Sequence, residues 1–436
     1  MKSNDRRCFC PLLWFVAGAL ALGLSLLGST ATAADAGIRK LVGKHITLFT
    51  DLASSPEIDE LPEIFDQAFP QWCAYFGVDA AKHADWKPRG FLMKSKERFI
   101  AAGMLPADYT FPNGLSRGLD LWLYDQTSPY YRRHLLLHEG THCFMNTQLG
   151  DCGPPWYGEG MAELLGTHRW DNGKLTLNYF PRRRSEVPKW GRIEIVQTRY
   201  AAEQALALDK ILAYDYHAHS DNDAYGWCWA LAAFLDGHPR YRARFRELPK
   251  TVMQPDFQRH FRKRFAADWP LLLEEWQVYV ANLDYGYDFE RMQLVPTPGK
   301  PLPGAGAKVA VAADHGWQPS GLRLEAGRTY QLQASGRFQV ADKPRVWWSE
   351  PGGVTLRYFH GLPLGVLLAA VRPDEAAPGA LSPLVRPVTV GSDATIVPKQ
   401  SGTLYLRIND SAGRMSDNAG AAAVEVSLRP ARRGDE

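Results

Sequence analysis

The sequence predicts an α+β protein in two parts, a mixed first domain over residues 36–295 and an all-β sandwich over 306–430. Three observations carry that reading. Strand-like and helix-like segments alternate near the start, as in a small α/β layer. A long stretch of helical pattern follows. Pro296, Pro298, Pro301 and Pro303 then fall among glycines, and beyond them short apolar runs sit between Gly, Pro, Asp and Asn. Residues 296–305 therefore read as a linker.

His45–Thr50 is rich in β-branched and apolar residues and predicts a strand. Pro56 to Phe76 has a helical pattern that Pro62 and Pro70 are expected to start or kink. Arg89–Met93 predicts a second strand, Lys96–Ala102 a short helix, and the alternating run Leu119–Tyr124 a third strand. From Tyr131 to Leu283 the pattern is largely helical, with broad apolar faces over Tyr225–Leu235 and Trp269–Leu283. In the second part Lys308–Ala312, Leu322–Leu324, Thr329–Ala334, Thr403–Ile408 and Ala423–Leu428 predict strands.

The start of the chain predicts export. Lys2, Arg6 and Arg7 precede an apolar run from Pro11 to Gly28, and small residues follow up to Ala34. This is the pattern of a signal peptide over residues 1–33, cut after Ala33, and it implies a periplasmic, cell-surface or secreted protein. An uncleaved anchor is the alternative, because the run nears the lower limit of a spanning helix. No later segment is apolar enough to span a bilayer, so no membrane span is expected after cleavage. Cys8 and Cys10 lie in the signal. Cys73, Cys143, Cys152 and Cys228 either form disulfides, in one of three pairings, or stay as buried thiols. A net charge of +3 without a basic run argues against a nucleic-acid partner.

The chemistry concentrates in His138-Glu139-Gly140-Thr141-His142. Positions i and i+4 share one helix face, so both imidazoles reach one metal ion. Glu139 lies about 100° round the helix from His138, placed to take a proton rather than to ligate. A catalytic zinc needs a third protein ligand and one open position. Glu159 and Glu163, in Gly158-Glu159-Gly160-Met161-Ala162-Glu163, again stand at i and i+4 on a helix opened by Pro154 and Pro155. One can ligate while the other orients a ligating histidine. His134, one turn before His138, reads as a cleft-wall or hydrogen-bonded histidine. His217 and His219 read as polar loop residues.

Together the two motifs resemble the gluzincin zinc metallopeptidases, the thermolysin and aminopeptidase N-like clan. The resemblance implies a zincin-like domain, Zn²⁺ on His138, His142 and Glu159, Glu139 as catalytic base and Glu163 behind a ligand. It also implies peptides or proteins as substrates. Two departures stand out: Gly158 replaces the usual Asn, and the gap between the motifs is short. In Ala224-Tyr225-Gly226-Trp227 the resemblance marks Tyr225 as the donor to the tetrahedral intermediate, with Tyr214 and Tyr216 as rivals and a core tyrosine as the plain alternative. By analogy Leu119–Tyr124 is the edge strand that pairs with substrate.

The second part resembles the small galactophilic bacterial lectins, through Trp317–Leu322, Pro363–Leu367 and Leu404–Asp410, then Ser416–Gly420. That resemblance implies a Ca²⁺ site at Asp410, Asp417 and Asn418 and glycans as partners, and a β-sandwich whose Asn and Asp residues only make turns, without a metal, is the plain alternative. Two other classes compete. One is an inactive peptidase-like protein that works as a carbohydrate-binding module, which the intact Glu139 speaks against. The other is a structural zinc protein, whose sites are usually four-ligand and Cys-rich.

Overall fold

The computed structural model describes residues 37–216, 222–375, 377 and 379–429. Residues 1–33, read as a signal peptide from the sequence, and His217 and His219 lie outside these residues. Among the described residues no helix is long and apolar enough to cross a membrane.

The chain opens with β1 (Arg39–Val42) and β2 (Thr47–Thr50), then α1 (Pro56–Asp59) and α2 (Leu61–Phe76). Pro62 sits in the first turn of α2, but the helix runs on through Pro70. Next come β3 (Arg89–Met93), α3 (Lys96–Ala101), β4 (Gly114–Arg117) and β5 (Asp120–Tyr124). The five strands form one sheet in the order β1-β2-β3-β5-β4. β2, β3 and β5 are parallel, and the two outer strands run antiparallel to their neighbours. The sequence places Leu119–Tyr124 at the sheet edge. In the structure β5 is internal and β4 is the edge. β4 is short and partly polar, and it exists through its pairing with β5 across a tight turn at Gly118, φ 59°.

Helix α4 (Pro129–Phe144) carries the H-E-x-x-H motif. Ser128 caps it by accepting the Tyr131 N–H, and Pro129 fills the first turn, where a missing N–H costs nothing. A π turn, Met145–Leu149, extends α4 to Gly150 in the left-handed region, φ 90°. Helix α5 (Pro155–Gly166) carries the second motif. β6 (His168–Asp171) and β7 (Lys174–Leu177) form a hairpin over Asn172-Gly173, both with positive φ. It interrupts a region expected to be helical. Helices α6 (Arg192–Ala201), α7 (Leu208–Leu212), α8 (Asn222–Gly237), α9 (Arg242–Phe245), α10 (Phe257–Phe265), α11 (Trp269–Asn282) and α12 (Phe289–Met292) complete the first part.

The second part holds β8 (Lys300–Pro301), β9 (Ala307–Ala312), β10 (Gln318–Leu324), β11 (Tyr330–Ser335), β12 (Phe338–Ala341), β13 (Trp347–Ser349) and β14 (Gly352–Phe359). β15 (Leu362–Pro373), β16 (Val388–Thr389), β17 (Asp393–Ile396), β18 (Gly402–Ile408) and β19 (Ala421–Leu428) follow. One sheet runs β14-β15-β18-β10-β8, with β16 on β15, and a second runs β17-β11-β19-β9. Leu324, Leu367, Leu404 and Leu406 from the first share a core with Leu332, Val424 and Val426 from the second. The other face of the larger sheet is covered too. Leu368, Ala370 and Tyr405 pack with Val278 and Leu294 of the first part. β18 is therefore buried along its whole length. The linker reading covers β8, which pairs parallel with β10, so part of it belongs to the sheet.

Two glycines set how closely the motif helices approach their neighbours. A Cβ at Gly140 would stand 2.7 Å from Phe65 and Trp72 of α2. One at Gly160 would stand 2.9 Å from the Cys228 carbonyl of α8. Overfilling a packed core costs about 1–3 kcal/mol or more. Gly140→Val should therefore destabilise the protein by about 2 kcal/mol or more, read as a lowered midpoint in urea denaturation.

Candidate metal centre

α4 and α5 lie against each other, and their facing side chains converge in a cleft of about 580 Å³. His138 Nε2 is 3.2 Å from His142 Nε2 and 3.3 Å from Glu159 Oε2. His142 Nε2 is 3.4 Å from Glu159 Oε1. The three side chains thus form a triangle in which a different oxygen of Glu159 faces each imidazole, and one ligand atom from each residue lies within 4.8 Å of the others. A tetrahedral ion with bonds of ~2.0–2.1 Å sets its ligand atoms about 3.3–3.4 Å apart. The two imidazole nitrogens are close to that spacing, and each has a Glu159 oxygen at a similar distance, so the group can hold a metal ion.

A second group, His134, His138 and Glu163, also clusters. Charge separates the two. Arg192 donates Nε and Nη2 to the two oxygens of Glu163, each at 2.9 Å. That carboxylate already has its cation, and a metal beside the guanidinium would be repelled. Burial alone would raise the pKa of Glu163, but Arg192 and His134 outweigh it and hold the group well below the usual carboxylate range. From there Glu163 reaches His138 Nδ1 at 3.4 Å and His134 Nε2 at 3.3 Å. His138 thus turns one nitrogen to the triangle and the other to a fixed anion, which sets its tautomer. His134 is buried behind that contact, and burial lowers its pKa.

Glu139 lines the same cleft, under the edge strand β4. A Cβ at Gly114 would stand 2.5 Å from Glu139 Oε1 and 2.9 Å from its Cγ. Gly114 leaves the space the carboxylate occupies. Tyr225, in the first turns of α8, lies with its ring centroid 6.0 Å from that of His138 and under the Arg192 guanidinium, 5.5 Å from its ring. Burial, then the charges of Glu159 and Glu139, push the phenol's pKa up, so it keeps its proton at neutral pH. Tyr214 packs on the first core, and Tyr216 is exposed at the cleft mouth.

Asp410 and Asn418 are buried and hydrogen-bonded, Asn418 Nδ2 donating to Asp410 Oδ2 at 3.0 Å. Burial pushes the Asp410 pKa up to about 6. Asp417 is half-buried, and its carbonyl accepts from Gln339 at 2.6 Å. The loop they share is docked on the first part. The Asp288 N–H donates to the Ala412 carbonyl at 3.0 Å, and Ser411 Oγ donates to Asp284 at 2.6 Å. Among the described residues Cys73, Cys143, Cys152 and Cys228 are outside any disulfide; the first two and Cys228 are buried thiols, whereas Cys152 is half-buried.

Arg192 and Gly114 carry no motif, and sequence reasoning misses both. Arg192 acts on a carboxylate far away in the chain, and Gly114 matters only once β4 lies over α4. No model of a known protein family matches the chain, and no curated protein does. Among solved structures it is similar to the N-terminal domain of EclA, described as a PllA-like lectin. That likeness has 22% identity and a TM-score of 0.21, over 28% of this chain and 95% of that one.

Removing one partner of a buried ion pair costs about 3–5 kcal/mol, because the other charge stays buried. Arg192→Met should destabilise the protein by that amount. Adding Glu163→Gln should recover part of the loss, since it removes the orphaned charge. Urea denaturation of the two single variants and the double variant gives the comparison.

Proposed function

We propose that the chain is an exported zinc peptidase of the gluzincin type. The triangle of His138, His142 and Glu159 at zinc-ligand spacing, with Glu139 and Tyr225 in the same cleft, carries the reading. Zinc held there would supply a Lewis acid that acidifies water and polarises a carbonyl. The remaining steps belong to the protein's own groups. Glu139, held under β4, takes the proton of the attacking water and returns it to the leaving amine. Tyr225, a phenol that burial keeps protonated well beyond neutral pH, donates its O–H to the oxygen that gains charge. Glu163 and Arg192 keep His138 turned to the triangle.

The substrate side follows from the sheet. β4 ends the strand order, so among the described residues one of its backbone edges has no strand partner. Gly114, Leu115 and Ser116 on that strand line the cleft together with Glu139. An extended peptide fits there by adding a strand antiparallel or parallel to β4, its main chain held across the cleft. The export reading rests on the pattern of residues 1–33.

Three variants test the assignment. His142→Ala should abolish stoichiometric zinc, measured by elemental analysis of dialysed protein. Glu139→Gln should keep the zinc and lose peptide hydrolysis by at least about a hundredfold on a mixed peptide pool, the scale of a lost general base. Gly114→Ala should keep the zinc but lower hydrolysis, because its methyl displaces the Glu139 carboxylate. Full zinc in the His142 variant, or unchanged hydrolysis in the Glu139 variant, would overturn the reading.

A further inference from the structure

We infer that Cys152 positions His142 for the metal, its sulfur accepting the Nδ1–H of that imidazole. The inference rests on the metal reading above.

The imidazole of His142 presents two different sides. Nε2 is a corner of the ligand triangle. Nδ1 faces the Cys152 sulfur at 3.7 Å, within the longer range of hydrogen bonds to sulfur. A histidine that gives the Nε2 lone pair to a metal carries its proton on Nδ1, and that proton needs an acceptor. The same sulfur lies 3.7 Å from the His142 carbonyl, within reach of its S–H. The thiol therefore accepts from the ring and donates to the backbone of one residue, which fixes both the tautomer and the ring plane. The two ligand histidines are supported in parallel: His138 by the Glu163 carboxylate, His142 by sulfur.

The space around the sulfur supports the assignment independently. Position 158, where the gluzincin pattern has Asn, is Gly here. A Cβ at Gly158 would stand 3.2 Å from the Cys152 Cβ and 3.3 Å from its carbonyl oxygen. Cys152 thus occupies the room that a side chain at 158 would enter. The turn that delivers it is held on both sides. Gly150 and Gly153 have positive φ, and Asp151 accepts the Gly153 N–H at 3.0 Å. Cys73, Cys143 and Cys228 are buried in the core, whereas Cys152 is half-buried and lines the cleft.

The test compares wild type, Cys152→Ala and Cys152→Ser as the full chain. Zinc affinity is measured by competition with a chromophoric chelator, and thermal unfolding of the zinc-free proteins is followed in parallel. Losing such a partner typically weakens metal binding by about 10–100-fold. Cys152→Ala should show that loss with little change in zinc-free unfolding, and Cys152→Ser, whose hydroxyl also accepts and donates, should recover part of it. Wild-type affinity in Cys152→Ala, or no recovery in Cys152→Ser, overturns the inference and leaves the zinc site standing. No zinc on the wild type overturns both. A third measurement needs no variant: NMR of the zinc-loaded wild type should show a protected proton on His142 Nδ1, and a deprotonated Nδ1 overturns the inference.

Discussion

The arrangement of the cleft depends on one buried ion pair. Glu163 on α5 and Arg192 on α6 are both nearly inaccessible, and they meet through two 2.9 Å hydrogen bonds. Either charge alone would be expensive to bury. Paired, they fix α6 against α5 and present a carboxylate to α4. His134 and His138 lean on that carboxylate from successive turns. Arg192 also covers the face of Tyr225 and so ties α8 to the same point. Four helices are thereby set by one guanidinium, and the His138 ring cannot turn away from the triangle without giving up an anion.

What the sequence reveals of the site is the part that is local. His138 and His142, and Glu159 and Glu163, stand at helical spacing, so their shared faces follow from 3.6 residues per turn. Whether the second pair faces the first depends on how α4 and α5 pack, and only the structure brings them together. The same limit hides Gly114, Arg192 and Cys152, which act across long separations and have ordinary neighbours in the chain. Strands behave likewise. β3 and β5 are legible from their own residues, whereas β4 takes its form from pairing with β5. Pro70 marks a kink in the sequence, yet α2 carries it within a helix buried by Phe65, Phe69 and Trp72. The hairpin of β6 and β7 falls in a region whose pattern reads as helical, and Asn172-Gly173 is the turn signal that locates it.

The two parts are joined by more than their linker. The larger sheet of the second part is covered on both faces, one by its partner sheet and one by α11 and the chain after it. Arg407, the one charged residue of β18, reaches through to Asn282 at the end of α11 at 2.5 Å and to the Asp410 carbonyl at 2.8 Å. The loop after β18 then enters the first core through Ala412 and Met415. Gly413 is required there, since a Cβ would stand 1.9 Å from the Tyr285 carbonyl. In this chain the loop of Asp410 therefore has a mechanical task, anchoring one part to the other. A sequence comparison of that loop alone would suggest only a ligand.

The charge of the cleft points the same way as its spacing. Glu139, Glu159 and Glu163 face one guanidinium there, so the site carries an excess of anions. Burial works against a charged His138, yet Glu159 and Glu163 outweigh it and raise the His138 pKa well above the ordinary imidazole value. The field that draws a proton to that ring draws a divalent cation more strongly, because the attraction scales with charge. Proton and metal then compete for one lone pair, and binding releases the proton. Since the His138 pKa is raised, the competition extends above the ordinary imidazole range, and metal affinity weakens as pH falls through it. A site built only to bury two histidines would have no reason to assemble three carboxylates around them. The excess of anions beside His138, His142 and Glu159 favours a cation there over an empty pair of histidines.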